Sequence, residues 1–225
     1  MLELTDVSAG YGQAKVVRDV TVHIGQGEMV ALLGRNGMGK TTLLHAVFGL
    51  ADRHAGNITL ARHTVPSGRP DLLARWGATL MPEDRGVFPN LTITDNLRLA
   101  NRKGFRPAVD PRELFPLLTD RRDQLAGTLS GGQKQQVGIA RAILAGQSLI
   151  AIDELTQGLQ PSLVRAVLEA LRTITTTGVT VVVVDQHAAL LLEYCPRTVV
   201  MQAGRAVFDG PGTPRSRLDE LLALS

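Results

Sequence analysis

The sequence predicts an α/β protein built on a mostly parallel sheet, with an antiparallel β subdomain at its N-terminal end and an inserted α-helical subdomain. Three observations carry that expectation. Short β-branched runs alternate with stretches of helical period. Two of those runs, SLIAIDE and VTVVVVDQ, are apolar almost throughout, as strands covered on both faces are. The section from Asp84 to Ala145 breaks the alternation and holds mainly helix-period segments.

Taken in order, LELTDV, VVRDVTVHI and MVALLG read as strands. Hairpin-like turns are expected at Ala9 to Gly12 and at Gly25 to Gly27, which would make the first strands an antiparallel edge sheet. TTLLHAVFGL has helical spacing and follows the third strand. TDNLRLA, DPRELFPLL and the residues after LSGGQ also read as helices. PSLVRAVLEALRTI separates the two buried strands and opens on proline, which the first helical turn tolerates because its N–H has no partner there. RTVVMQAGRAVFDG reads as a hairpin over Ala203 and Gly204. The expected organisation is a single domain, 1–225, with residues 1–83 and 146–225 forming the α/β core and β subdomain, and 84–145 the helical subdomain.

Composition narrows the function classes. The chain has 225 residues, 44% of them hydrophobic, enough for a sizeable core. Its longest apolar run is strand length, short of the roughly 18 residues a spanning helix needs. The first residues, MLELTDVSAG, lack the basic and apolar regions of a secretory signal, so a cytosolic protein is expected. The lone Cys195 permits no intrachain disulfide and no cysteine-based metal site, and is expected to be a buried small hydrophobe. The net charge of +3 rests on scattered arginines, which argues against a nucleic-acid partner.

The chemistry begins at GRNGMGKT, Gly34 to Thr41, which fits G-x-x-x-x-G-K-[ST] after an apolar strand and before a helix. Glycines let backbone N–H groups approach phosphate oxygens, Lys40 balances their charge, and the Thr41 hydroxyl is a magnesium ligand. Asp153 ends an apolar strand at the sheet edge where ligands bind, placed to hold a magnesium shell. Glu154 beside it is placed to deprotonate an attacking water. His187 follows the next buried strand at the same edge, within reach of a γ-phosphate. Tyr11, in a turn after the first strand, offers a ring for adenine stacking. A second anion cradle lies in GTLSGGQKQQ, where serine and two glycines precede a helix whose first N–H groups have no intrahelical partner.

With these motifs in order, the chain resembles the ATP-binding subunit of ABC transporters over essentially its whole length. LSGGQ, Leu129 to Gln133, is that family's signature sequence. The resemblance implies a P-loop NTPase, RecA-like core that hydrolyses ATP with Mg2+. It implies a Walker A loop of Gly34, Asn36, Gly37, Gly39, Lys40, Thr41 and Thr42, a Walker B Asp153, the catalytic base Glu154 and the switch histidine His187. It further implies a head-to-tail dimer with a second copy or a paralogous ATPase, in which Ser130, Gly131, Gly132 and Gln133 cap the partner's ATP.

Two departures from the family pattern stand out. Leu155 replaces a proline after Glu154, which should loosen the following turn, LTQGLQP. MPEDRGVFPNLTITDNL puts Glu83 where a glutamine usually serves magnesium and the lytic water, making Glu83 a metal and catalytic candidate. This form looks like the branch that imports branched-chain amino acids and related amides or urea. Implied partners are integral membrane permease subunits, received near Phe88, Pro89 and Leu91, and indirectly an extracytoplasmic solute-binding protein. The protein would sit on the inner face of the cell membrane. The alternatives are a soluble ABC-type mechanical ATPase acting on DNA or the ribosome, and a phosphate-loop kinase or GTPase. The first usually carries tandem cassettes or a coiled-coil insertion, and the second leaves LSGGQ unexplained.

Overall fold

The computed structural model describes residues 1–185 and 188–211. Two sheets organise them. The first is antiparallel, in the order β2-β1-β4-β5, from β1 (Leu2–Tyr11), β2 (Ala14–Ile24), β4 (Asp52–Leu60) and β5 (His63–Thr64). The second runs β10-β9-β3-β8-β7-β6, from β3 (Met29–Leu33), β6 (Ala78–Met81), β7 (Leu149–Asp153), β8 (Thr180–Asp185), β9 (Arg197–Gln202) and β10 (Arg205–Pro211). All its neighbours are parallel except β10, which returns antiparallel on β9.

The helices are α1 (Lys40–Val47), α2 (Pro70–Arg75), α3 (Ile93–Ala100), α4 (Pro111–Leu114), α5 (Leu117–Asp120), α6 (Gly131–Ala145), α7 (Pro161–Thr175) and α8 (Ala188–Tyr194). The run from α3 to α6 contains no strand and includes one 3-10 turn, Ala126–Thr128.

The apolar runs of β3, β7 and β8 arise because the parallel sheet separates two cores. Successive side chains on a strand point to opposite faces. Ala31, Leu33, Ile150, Ile152, Val181 and Val183 enter the core beneath α6 and α7. Val30, Leu32, Leu149, Ala151, Val182 and Val184 enter the core shared with α1 and the antiparallel sheet. With both faces covered, none of these positions tolerates a polar side chain until the strand ends at the sheet edge. Cys195 is buried as expected, and burial pushes its thiol pKa up to about 12. Among the described residues no helix is long and apolar enough to cross a membrane.

The structure corrects three local expectations. Gly25 to Gly27 is not a hairpin, because β2 and β3 belong to different sheets; β3 is buried along its whole length and pairs in parallel with β8 and β9. The first hairpin turn lies at Gly12 and Gln13, with Tyr11 still paired to Ala14. DPRELFPLL is not one helix: Pro116 has no N–H to donate and disfavours helical geometry at Phe115, whose φ and ψ are −131° and 87°. β4 and β6 escape a sequence reading, since β4 is largely polar and exposed and β6 has only four residues.

One buried side chain fixes the segment that leads from the sheet into α3. Asn96 is fully buried, and its Oδ1 accepts from Phe88 N at 2.9 Å while its Nδ2 donates to Phe88 O and Thr92 O, each at 3.0 Å. Arg141 on α6 donates to Asn96 O at 3.1 Å and lies over the Phe88 ring at 4.7 Å. Removing the amide leaves the Phe88 N–H without its partner and takes one of two donors from Phe88 O and from Thr92 O. Asn96→Ala should therefore lower unfolding stability by about 2–3 kcal/mol in urea; a change below about 0.5 kcal/mol would contradict this role.

Candidate active site

The phosphate loop connects β3 to α1. Gly34, Gly37 and Gly39 have φ of 152°, 79° and 95°, in the region that favours glycine. A Cβ on Gly34 would also collide with the carbonyl oxygen of Met201 in β9. The loop is propped from the β9–β10 hairpin, where Gly204 N donates to Met38 O at 3.2 Å. The expected turn residues Ala203 and Gly204 adopt φ of 46° and 79°. Arg35, Asn36 and Gly37 remain exposed. Helix α1 starts at Lys40 with Gly39 as its cap and no side chain bonded to its first N–H groups, which leaves them open to an anion.

Lys40 is only 8% exposed, and its Nζ donates to Gly34 O at 2.7 Å and Arg35 O at 2.9 Å. The ammonium is thus held inside the curve of its own loop. Burial lowers its pKa, while Asp153, Glu154 and Asp185 oppose that shift. Thr42, in the same first turn of α1, is buried.

The acids lie across the sheet edge from this loop. β8 is hydrogen-bonded to β3 on one side and to β7 on the other, so Asp153 at the end of β7 and Lys40 after β3 flank one strand. The Asp153 carboxylate is hydrogen-bonded to Thr41, and its pKa is raised first by burial and then by the charge of Glu83. Glu154 is also raised, by burial first and then by Glu83, Asp153 and Asp185. The structure therefore brings together Thr41, Glu83 and the adjacent pair Asp153 and Glu154, drawn from three separate stretches of chain.

This set fits a divalent cation held jointly with a nucleotide. Several carboxylates crowd one buried amine, and the hydroxyl–carboxylate pair of Thr41 and Asp153 offers hard oxygen donors. Among the described residues no group of three or more His, Cys, Asp or Glu side chains is arranged to hold a metal by itself. Magnesium suits such a place, since it commonly takes one or two protein oxygens and completes its shell with phosphate and water.

Tyr11 is 46% exposed at the end of β1, and its hydroxyl lies 2.7 Å from His45 Nδ1. The two rings meet edge to face at 6.3 Å. His45 occupies the last turn of α1, so the ring of Tyr11 is tied to the helix that carries Lys40. His45 carries no motif of its own, and its place five residues beyond Lys40 on one helix is the signal by which it can be found.

The signature stretch forms the start of α6. Ser130 is the N-cap: its Oγ accepts from Gln133 N at 3.3 Å, and Gln133 Oε1 accepts from Ser130 N at 3.0 Å. This capping box commits the Gln133 side chain to its own helix end, while Ser130 and Gly131 stay exposed. A Cβ on Gly132 would collide with the carbonyl oxygen of Gly158, so the glycine allows the turn after β7 to lie against α6. His187 lies outside the described residues.

Leu155 does not leave its turn loose. Its side chain is fully buried, Glu154 N donates to Val184 O at 2.9 Å, and Thr156 N donates to Asp185 Oδ2 at 2.8 Å. The turn is held by backbone hydrogen bonds and packing in place of a proline ring.

The raised pKa of Asp153 has a consequence for stability. Its folded-state value lies above the unfolded one, so its contribution is favourable at low pH and is lost as pH rises through the raised value. At pH 7 Asp153→Asn should raise the melting temperature of the nucleotide-free chain by roughly 2–4 °C. The gain should shrink toward about pH 4. An unchanged or lower melting temperature at pH 7 would contradict a carboxylate burdened by burial and, after it, by the charge of Glu83.

Comparison with known proteins agrees with this geometry. A family model described as ABC transporter matches residues 17–157. The chain is 34% identical over 217 residues to the high-affinity branched-chain amino acid transport ATP-binding protein BraG of Pseudomonas aeruginosa, covering 94% of this chain and 93% of that protein. It is 30% identical over 216 residues to the probable branched-chain amino acid transport ATP-binding protein LivF of Archaeoglobus fulgidus, covering 93% and 92%. A Nod factor export ATP-binding protein I of Rhizobium etli is also 30% identical, over 98% of this chain and 71% of its own length. Among solved structures, an ATP-binding subunit of an ABC transporter superposes with a TM-score of 0.82 at 30% identity, covering 100% of this chain and 94% of that one. The phosphate loop, the strand-end acids and these matches together place the chain in the ABC transporter family, as one of its ATP-hydrolysing subunits.

Proposed function

We propose that the chain energises uptake of branched-chain or other hydrophobic amino acids, or a related small amide or urea, through separate membrane subunits. The observation that carries the catalytic part of this reading is the meeting of Lys40, Thr41, Asp153, Glu154 and Glu83 at one edge of the parallel sheet. The solute class is supported by the relatives named for branched-chain amino acid transport and by the Glu83 loop.

In this mechanism the glycine loop from Gly34 to Gly39 and the first N–H groups of α1, from Lys40 to Thr42, cradle the ATP phosphates, with Asn36 at the exposed rim. Lys40 leaves the carbonyls of its own loop to meet the β- and γ-phosphates. Tyr11 stacks on adenine. Magnesium, held by Thr41, Asp153 and Glu83, would neutralise charge that builds up on the phosphates. Glu154 orients the attacking water and accepts its proton. Its raised pKa makes it a better base than an ordinary surface carboxylate. His187 is assigned to the γ-phosphate from its place after β8.

The exposed Ser130 and Gly131 at the start of α6 form the second anion cradle, which we assign to the ATP of a facing ATPase subunit. That subunit is a second copy of this chain or a paralogue. Binding ATP between the two closes the pair, and hydrolysis removes the bridge. Residues 84–145 act as the helical subdomain that passes this movement to the permease. Phe88 and Leu99, 48% and 62% exposed, give it apolar contact area. The complex sits on the inner face of the membrane and receives its solute from an extracytoplasmic binding protein.

Glu154→Gln keeps the shape of the base and removes its proton affinity. It should lower ATP turnover by about 100-fold or more with ATP affinity held within about twofold. Turnover within a fewfold of the parent would move the base role to Glu83 or His187.

A further inference from the structure

Gln135 is 1% exposed, on the first turns of α6, and both ends of its amide are occupied. Its Oε1 accepts from Arg85 Nε at 3.1 Å. Its Nε2 donates to Glu154 O at 2.8 Å and to Leu155 O at 3.1 Å. An amide presents an acceptor and two donors on one planar group, and here only one of its two orientations works. Reversed, its N–H groups would face the guanidinium and its oxygen would face two carbonyls.

The carbonyls it holds belong to a strained place in the chain. Glu154 has φ of 55°, a left-handed conformation that side-chain-bearing residues seldom adopt and that persists where surrounding contacts impose it. Arg85 extends the clamp, since a second guanidinium nitrogen donates to Gln157 Oε1 at 2.8 Å, in the turn that follows Glu154. Arg85 itself stands two residues after Glu83, in a turn closed by Arg85 N donating to Pro82 O at 2.8 Å. That turn rests directly on α6, where a Cβ at Gly138 would come 2.7 Å from Arg85 O.

We propose that Gln135, oriented by Arg85, is a positioning residue for the base: it holds the left-handed backbone of Glu154 and so makes the base's placement depend on helix α6. The inference rests on the reading of Glu154 as the base. It adds a mechanical link, because α6 is the helix whose N-terminus carries the Ser130–Gly131 cradle. Sliding α6 against the end of β7 by about 1 Å would break both amide–carbonyl bonds and misplace the carboxylate, a displacement large enough to cost up to about 100-fold in rate. Hydrolysis then proceeds at full rate only while α6 is seated, and the Glu83 turn is seated with it.

The test uses the full chain in steady-state ATPase assays with magnesium ATP, with unfolding curves recorded alongside. Gln135→Met keeps length and volume but removes the amide, and Arg85→Met removes the guanidinium from a half-exposed position with little risk to folding. Gln135→Met should lower kcat about tenfold with KM for ATP within about twofold, and Arg85→Met should lower kcat about threefold. The double variant should be no slower than Gln135→Met by more than about twofold, since both act through one clamp. A kcat within about twofold of the parent in Arg85→Met or in a folded Gln135→Met would overturn the proposal. So would losses that multiply in the double variant, or a fall in kcat matched by loss of ATP affinity. Glu154→Gln run in the same assay separates the two levels: if it retains turnover, the base assignment fails, whatever the clamp does.

Discussion

Like charge held close at one edge of the parallel sheet is the constraint on which the rest of the structure depends. Asp153 and Asp185 are almost wholly buried at the ends of β7 and β8, Glu154 follows directly, and Glu83 is near enough to raise both Asp153 and Glu154. Against them stands the single buried amine of Lys40. Such an arrangement is unfavourable in a low-dielectric setting unless something forces it. The two apolar cores supply that force, because β3, β7 and β8 bury alternate residues on both faces and cannot shift register without exposing them. A divalent cation would relieve the imbalance, which is an electrostatic reason for the proposed site to take its nucleotide together with a metal.

The chain offers two candidate anion cradles, one at this sheet edge and one at the start of α6. The first, between β3 and α1, is completed by residues that fold onto it: Met201 and Gly204 back the loop and Lys40 lies inside it. The second, at the start of α6, is backed by Gly158 and Arg85 and opens outward through Ser130 and Gly131. Its Gln133 is used in capping the helix, which leaves the serine hydroxyl and backbone N–H groups as the ones we assign to recognition there. Through Gln135 this outward-facing helix also grips the backbone of Glu154. Events at one cradle therefore have a short physical route to the chemistry at the other.

Much of this was legible in the sequence where the signal is local. The phosphate loop, the two-sided apolar strands and the helix start at Ser130 each occupy a few consecutive residues, and each is where its pattern puts it. Partnership was harder to read. Nothing in Gly25 to Gly27 tells a hairpin from a crossover between sheets, because the distinction lies in which strands β3 meets later in the chain. The polar β4 is a strand because β1 offers it a pairing edge. Arg85, Gln135 and His45 gain their roles from contacts across 50, 19 and 34 residues of sequence, in ordinary polar side chains that carry no motif. Leu155 shows the converse, where a residue change suggested a loose turn and long-range hydrogen bonds hold it.

In the proposed cycle the outward cradle at Ser130 and Gly131 completes a nucleotide site on a second copy of this chain. Light scattering on Glu154→Gln, with and without magnesium ATP, measures this most directly, because the variant is expected to hold ATP without consuming it. A monomer's mass is expected without nucleotide and twice that mass with it, the doubling being lost when Ser130→Arg blocks the cradle. A mass that stays monomeric with ATP bound, or a dimer indifferent to Ser130→Arg, would contradict the pairing of two copies through this surface.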